Sequence, residues 1–504
     1  MSSKPHPSSY GQILKSSSII GGAQGLNYII GMVRTKFVAV LLGPSGVGLV
    51  GLYMSATSLV GAFSELGIGS SGVREVAEAH GKGAPEQIAQ TIKTLRRACW
   101  VTGILGWFLT AALSYPLSIW TFGSGAKTWE IALLGATLLL GSISGGQTAL
   151  LQGVRRIGDL ARLNVVSVLA TTLIAVFLYY WLGERGIVPV LLITAVFNLA
   201  ASWWFARRVE VDDVDQPIAE TWLNSKRLVG LGLAIMWSGL LNAGVALAIR
   251  SLIVRNVGIE ANGIYQAAWG ISGMFASFIL GAMGYDFYPR LTAVADDNHA
   301  TRKLINEQTE IGILLALPGI IGTLAFAPLV MRIFYTTKFL PGAYLLPWFV
   351  LGVFGKVISW PMGFILLAKG ASRWFVAIET AIVAINLILS IVFLHWIGLW
   401  GVALAFMCIY VCYTLGMLWL SDRLIQFRWS DSVCKLLLVS GSIVAAAFCI
   451  QQWVPGLVGL ALGGLLTVGA SILSLRGIAV RLGSAHRVIC WVCKIPGGRI
   501  ICGI

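Results

Sequence analysis

Among the charged side chains inside long apolar stretches of this chain, the informative ones are Arg34, Lys36, Glu65, Arg250, Arg332, Lys356 and Glu379. A charge at the centre of a bilayer costs about 2.5–3.5 kcal/mol on insertion scales, so such residues face a partner or a water-filled cavity. Cations outnumber acids among them. A net basic cavity suits an anionic ligand such as a phosphate or pyrophosphate. Arg offers it a planar fork that makes two charge-assisted hydrogen bonds. Arg34, Arg250, Lys356 and Lys36 are therefore candidates for holding an anionic head group. Glu379 and Glu65 are candidates for coupling to H+ or Na+, because a desolvated carboxyl can exchange a proton or bind a cation. Each has a plainer alternative. Lys36 and Arg332 can snorkel to an interface. Each Arg can pair with helix carbonyls or a nearby acid, and Glu379 with an Arg.

Uncharged polar residues share faces with these charges. At about 100° per residue, Asn27 and Arg34 fall on the Gln24 side of one helix. Asn242 lies about 80° from Arg250, and Asn386 and Ser390 flank Glu379 at about 20° on either side. Gln24, Asn27, Asn242, Asn386 and Ser390 are thus expected to line a cavity. Hydrogen-bonded glue between helices is the alternative.

The elements that must carry these residues are transmembrane helices. Only 11% of the 504 residues are charged and 57% are hydrophobic, with a mean hydropathy of +0.83. Soluble chains carry about 25% charged residues. The pattern predicts an all-α integral membrane protein of about fourteen helices, each needing about 20 apolar residues. Their expected spans are 14–42, 46–72, 98–122, 130–152, 163–183, 187–205, 228–256, 262–285, 308–335, 343–368, 375–396, 398–420, 435–453 and 456–475. With the N-terminus inside, 27 of the 36 Lys and Arg fall on inner loops and termini. The outer loops hold only Lys127, Arg185, Arg255 and Lys338. The positive-inside rule then places both termini in the cytoplasm of a multi-pass protein.

A repeat recurs at a shift of about 216 residues, pairing Arg34 with Arg250, Arg74 with Arg290 and Leu151 with Leu367. It predicts two six-helix lobes of like orientation, related by an axis along the membrane normal. The expected divisions are 1–205 (first lobe), 206–227 (an acidic cytoplasmic linker with Glu210, Asp212, Asp213, Asp215 and Glu220), 228–420 (second lobe), 421–475 (two further spans) and 476–504 (a basic tail on the inner leaflet). Arg34 and Arg250 then stand at matching depth in opposing lobes. His486, Cys490, Cys493 and Cys502 in the tail have metal-ligand chemistry, but the segment is short and membrane-like, so no metal is expected.

Composition and motif exclude other classes. Gly355-Lys356 lacks the remainder of a phosphate-binding loop, so neither ATP nor another cofactor is expected. The charge of +15 belongs to loops facing anionic lipid, and no nucleic-acid partner is expected. The short outer loops leave no room for a glycosyltransferase site.

The run Arg34-Thr35-Lys36-Phe37 through Leu42-Gly43-Pro44-Ser45-Gly46-Val47-Gly48-Leu49 resembles the first-hairpin signature of bacterial polysaccharide biosynthesis flippases. So does Ser64-Glu65-Leu66-Gly67-Ile68-Gly69, running on to Arg74-Glu75. Leu150-Leu151-Gln152-Gly153 with Arg155-Arg156-Ile157-Gly158-Asp159-Leu160 is similar to the turn after their fourth span. These are O-antigen translocases of the Wzx type, in the multidrug/oligosaccharidyl-lipid/polysaccharide (MOP) exporter superfamily that also holds multidrug and toxin extruders (MATE) and the lipid II flippase. The resemblance implies a MATE-like pair of lobes, alternating access and an inner-membrane location. It implies undecaprenyl-pyrophosphate-linked oligosaccharide as cargo, cation coupling in some members, and membrane lipids and polysaccharide polymerase machinery as partners. The rival readings are a drug or metabolite extruder, the lipid II flippase itself, and a membrane glycosyltransferase or polymerase.

The loop bias yields a direct test. Cysteines placed at Lys127 and Arg185 are expected to react with an impermeant thiol reagent in intact cells, and cysteines at Arg156 and Arg207 are not. Labelling at Arg207 in sealed cells would overturn the orientation.

Overall fold

The computed structural model describes residues 9–82, 85–209, 217–454 and 456–482. The acidic linker residues Glu210 to Asp215 and the tail group His486, Cys490, Cys493 and Cys502 lie outside the described residues. Described residues form α-helices joined by short turns, with no strand among them. That outcome follows from the solvent: in hydrocarbon each backbone N–H and C=O must be bonded within the segment, and a helix does this unaided.

The chain divides into two compact units, Met1–Gly263 and Ile264–Ile504. The first contains α1 (Ser9–Ser64), α2 (Ile68–Lys82), α3 (Pro85–Phe122), α4 (Thr128–Gly153), α5 (Ile157–Leu182), α6 (Ile187–Ala206) and α7 (Ile218–Asn256). The helix α8 (Ile259–Ala293) starts at its end and runs on into the second. There follow α9 (Asn298–Ala325), α10 (Ala327–Phe334), α11 (Gly342–Ala368), α12 (Ser372–Ile397), α13 (Leu399–Ile425), α14 (Asp431–Trp453) and α15 (Gly456–Leu482). Eleven stretches of the described residues are long and apolar enough to cross a membrane, against about fourteen expected. Two of these stretches each join two expected spans: Gln24–Ser64, which bends at Gly43, and Ile157–Ala206, which holds α5 and α6.

The duplication is visible in the backbone. Gly43 (φ 66°) and Gly258 (φ 113°) break the chain at matching points, between the halves of α1 and between α7 and α8. Arg155 (φ 57°) matches Gly370 (φ 66°), and Gly183 (φ 55°) matches Gly398 (φ 70°). All three pairs are 215 residues apart. Each marks a turn in the left-handed region, where a helix must stop.

Several boundaries differ from expectation. The second span closes at Ser64, not at 72, because Leu66 (φ 50°) and Gly67 (φ 68°) are left-handed. Past that break α2 buries Ile68, Val76 and Ala79 beneath its charges. Glu65 therefore sits at a helix end. Arg332 lies in the last turn of the separate short helix α10, where the helix dipole favours a cation. The last span continues to Leu482, carrying Arg476 and Arg481 in its final turns. Arg481 pairs with Glu310 of α9, and its Nη2 donates to Ser432 Oγ of α14 at 3.1 Å.

The border between the units falls at 263/264. The cause is packing: α7 lies against α1, α2 and α3. Leu247 of α7 is buried in the cluster that joins Tyr53, Leu134, Tyr179 and Val190. In the second unit Phe287, Leu291, Ile305, Met362, Met417 and Leu420 form a comparable core.

Close backbone approach seals the start of α8 onto α1. Asn262, fully buried, donates from Nδ2 to Gly48 O at 2.8 Å. A Cβ added at Gly263 would lie 1.9 Å from Pro44 O. Gly263→Ala is therefore expected to prise the two helices apart, at about 1–3 kcal/mol for overpacking. Its thermal midpoint in detergent should fall, whereas Gly273→Ala, which meets nothing within 4 Å, should not change it.

Candidate functional site

On α1, Gln24 and Arg34 are exposed, and Asn27 and Lys36 are half-buried. The Asn27 Oδ1 atom is buried and has no hydrogen-bond partner among the described residues. The charge of Arg34 reaches the hydroxyl of Tyr179, a buried residue of α5.

Arg250 has a different setting from Arg34. It is only 9% exposed, and its Nη1 donates to Ser55 Oγ of α1 at 2.7 Å. The same nitrogen approaches Ala246 O at 3.5 Å, and Ser55 Oγ donates in turn to Gly51 O at 2.7 Å. This chain of bonds ties α7 to α1 across a buried contact. Arg34 and Arg250 both lie in the first compact unit, and Arg250 is held against α1. The physical reason is that a guanidinium in an apolar contact needs acceptors, and α1 supplies one. Asn242, one face of α7 away, is exposed and donates to Ser238 O at 2.8 Å, within its own helix.

The second unit holds its own polar set. Glu379 of α12 is half-buried, and its charge reaches the hydroxyls of Tyr410 and Tyr413 on α13. Helix α13 comes this close to α11 because Gly352, Gly355 and Gly363 face Phe406, Tyr410 and Tyr413. Small residues at such a crossing let two helices approach. Half-buried Lys356 is adjacent to Gly355 on the same helix. One turn and more beyond Glu379, Ser390 Oγ donates to Asn386 Oδ1 at 3.5 Å, with Ser390 almost fully buried. That pair is helix-internal.

Sequence spacing missed Ser55, Asn262, Tyr179, Tyr410 and Tyr413 as partners. Each is a neutral residue in an apolar run, and only the tertiary approach of another helix gives it a polar role. The Gly352, Gly355 and Gly363 series on α11 was the available signal for Tyr410 and Tyr413, since it marks the face that a neighbouring helix must cover.

Comparison with known proteins follows from this geometry. The family described as "Polysaccharide biosynthesis protein" matches residues 37–343, more than half of the chain. The chain belongs to this family. Two curated relatives of the polysaccharide biosynthesis member, each named "Lipid III flippase", come from Escherichia coli (strain K12) and Shigella flexneri. Each is 24% identical over 408 residues, covering 76% of this chain and 92% of the relative. Among solved structures, the lipid II flippase MurJ in an inward closed conformation aligns at a TM-score of 0.68. It is 14% identical and covers 92% of this chain and 100% of that one. An inward-facing multidrug resistance MATE transporter of the MOP superfamily aligns at 0.61, with 15% identity over 81% of this chain and 96% of that one. The fold is therefore the helical one shared by MurJ and the MATE transporters.

The Arg250 contact gives a measurable expectation for the family member. Ser55→Ala removes one acceptor from a buried guanidinium, a loss of about 1–3 kcal/mol. The variant should lower the thermal midpoint of the purified protein. Arg250→Ala should lower it further, and Ser55→Thr, which keeps a hydroxyl, should largely restore it. A Ser55→Ala protein as stable as the parent would show that the contact does not brace α7 on α1.

Proposed function

We propose that this protein is a flippase that moves an undecaprenyl-pyrophosphate-linked oligosaccharide repeat unit from the cytoplasmic to the outer leaflet of the inner membrane by alternating access. It acts as a transporter rather than as an enzyme. The observation that carries this reading is the presence of cations within the apolar helices of a polysaccharide biosynthesis family member. A lipid-linked pyrophosphate is anionic and strongly hydrated, and its passage needs cationic donors that replace lost water. Arg34 and Lys36 supply them on α1, and Lys356 supplies one on α11. Arg250 positions α7 against α1 while its charge adds to the same field. The curated relatives named lipid III flippases and the MurJ likeness support a lipid-linked cargo. The multidrug extruder reading fits less well, because a net basic interior repels the cationic compounds such proteins export. We also propose the cytoplasmic placement of both termini, and coupling to H+ or Na+ through Glu379, whose charge acts on Tyr410 and Tyr413. Polymerase machinery in the same membrane is the expected consumer of the flipped unit.

A deletion strain is the test. Loss of the protein should leave complete lipid-linked repeat units on the cytoplasmic leaflet. Truncated units would indicate a transferase, and unchanged glycans an extruder. In that strain, Arg34→Ala with Lys36→Ala should abolish complementation at normal protein levels, while Arg34→Lys keeps partial activity. Glu379→Gln should remove the dependence of transport on the ion gradient. Normal surface glycan from the double alanine variant would rule out the cationic head-group contact.

A further inference from the structure

A second basic and aromatic feature lies wholly within the first unit, away from the residues discussed above. A groove of about 730 Å³ runs between α3, α4 and α6. Arg96 and Trp100 line it from α3, Gln147 from α4, and Leu199, Trp203 and Arg207 from the α6 side. The Arg207 guanidinium stacks on Trp204 at 3.5 Å and lies 5.4 Å from the Trp203 ring centre. Trp100, Trp203 and Trp204 are all about half exposed. Gln147 is only 7% exposed, yet its Oε1 atom is buried with no hydrogen-bond partner among the described residues.

Depth locates the groove at a membrane interface. Helix α3 has 38 residues, which makes it about 57 Å long, whereas hydrocarbon is about 30 Å thick. Its first turns, with Lys93, Arg96 and Arg97, therefore extend into the head-group zone. Trp side chains prefer that zone. Below Arg96 and Arg207 the walls become apolar, with Ile143, Val196 and Leu199. The groove thus has a cationic mouth and a hydrocarbon-like track, the polarity of a phospholipid.

We infer that this groove between α3, α4 and α6 is a binding site for an anionic glycerophospholipid. Its phosphate lies between Arg96 and Arg207, and an acyl chain lies along Leu199. The lipid resides in the leaflet on which the arginine-rich helix ends stand. The Gln147 amide supplies the polar contact in between: its oxygen accepts from a head-group hydroxyl, or its rotated NH₂ donates to the phosphate. The site takes resident lipid.

The test uses the full-length protein in a neutral detergent, with the tightest-held lipid counted by native mass spectrometry. Phosphatidylglycerol, phosphatidylcholine and inorganic phosphate are the probes. Phosphatidylglycerol should be retained in preference to phosphatidylcholine, and inorganic phosphate should not displace it. Arg96→Gln with Arg207→Gln should weaken retention about tenfold, equivalent to about 1.4 kcal/mol. Ala200 also lines the groove, and Ala200→Phe, which fills it while leaving both arginines in the sequence, should also release the lipid. Should the double Gln variant fail to fold, the Phe variant alone decides. Equal retention of the two lipids, wild-type retention by Ala200→Phe, or displacement by phosphate would each overturn the lipid site. The last result would reduce it to an anion site.

Discussion

Polar groups within the membrane-spanning helices must be satisfied without bulk water. That constraint governs the backbone first, since hydrocarbon admits only segments that bond their own N–H and C=O groups. It then governs the side chains. Hydroxyls of Ser and Thr mostly turn back onto carbonyls of their own helix, as Thr110 does to Gly106 O at 2.7 Å. The few ions are placed where another helix or an opening can receive them. Arg250 and Arg34 show the two solutions side by side. One guanidinium is buried against a hydroxyl of a neighbouring helix, and the other is exposed on a polar face.

The same constraint sets the packing. With lipid as apolar as the side chains, burial alone does not hold helices together, so close fit and specific bonds must. The first unit uses the Asn262–Gly48 bond and the near-contact of Gly263 with Pro44. The second uses the glycine face of α11 under an aromatic row from Trp269 through Phe349 and Phe406 to Tyr410. Ion pairs serve at helix ends, where Asp159 stands within 3.6 Å of Arg156, Arg162 and Arg208. Such pairs are partly exposed and each contributes at most about 1 kcal/mol.

Much of this was legible in the sequence, and the failures have one cause. Helical class and the repeat follow from composition and periodicity, which are local properties. The break at Leu66 and Gly67 was not legible, because one glycine among several carries no mark of its φ angle. The grouping of α7 with α1 was hidden because Ser55 and Arg250 are 195 residues apart. A repeat match between Arg34 and Arg250 suggested equivalent surroundings. Equivalence of chain position does not impose equivalence of neighbours, and here one copy turned its arginine inward. The arginines of the lateral groove were assigned to loops because charge usually ends a span. Helix α3 instead continues through Arg96, while Arg207 lies just past the end of α6.

The paired turns at Arg155 and Gly370 carry a further implication. Both bend the chain the same way, but only glycine does so without strain; an L-residue with a β-carbon loses roughly 1–2 kcal/mol in that conformation. The first copy nevertheless keeps arginine there. The corner's shape is therefore held with strain in the first copy and without it in the second. Relaxing that corner with glycine would favour folding. The ancestral duplication transmitted a curvature of the chain rather than the residue that makes it, and divergence since then is written in which copy tolerates the discomfort.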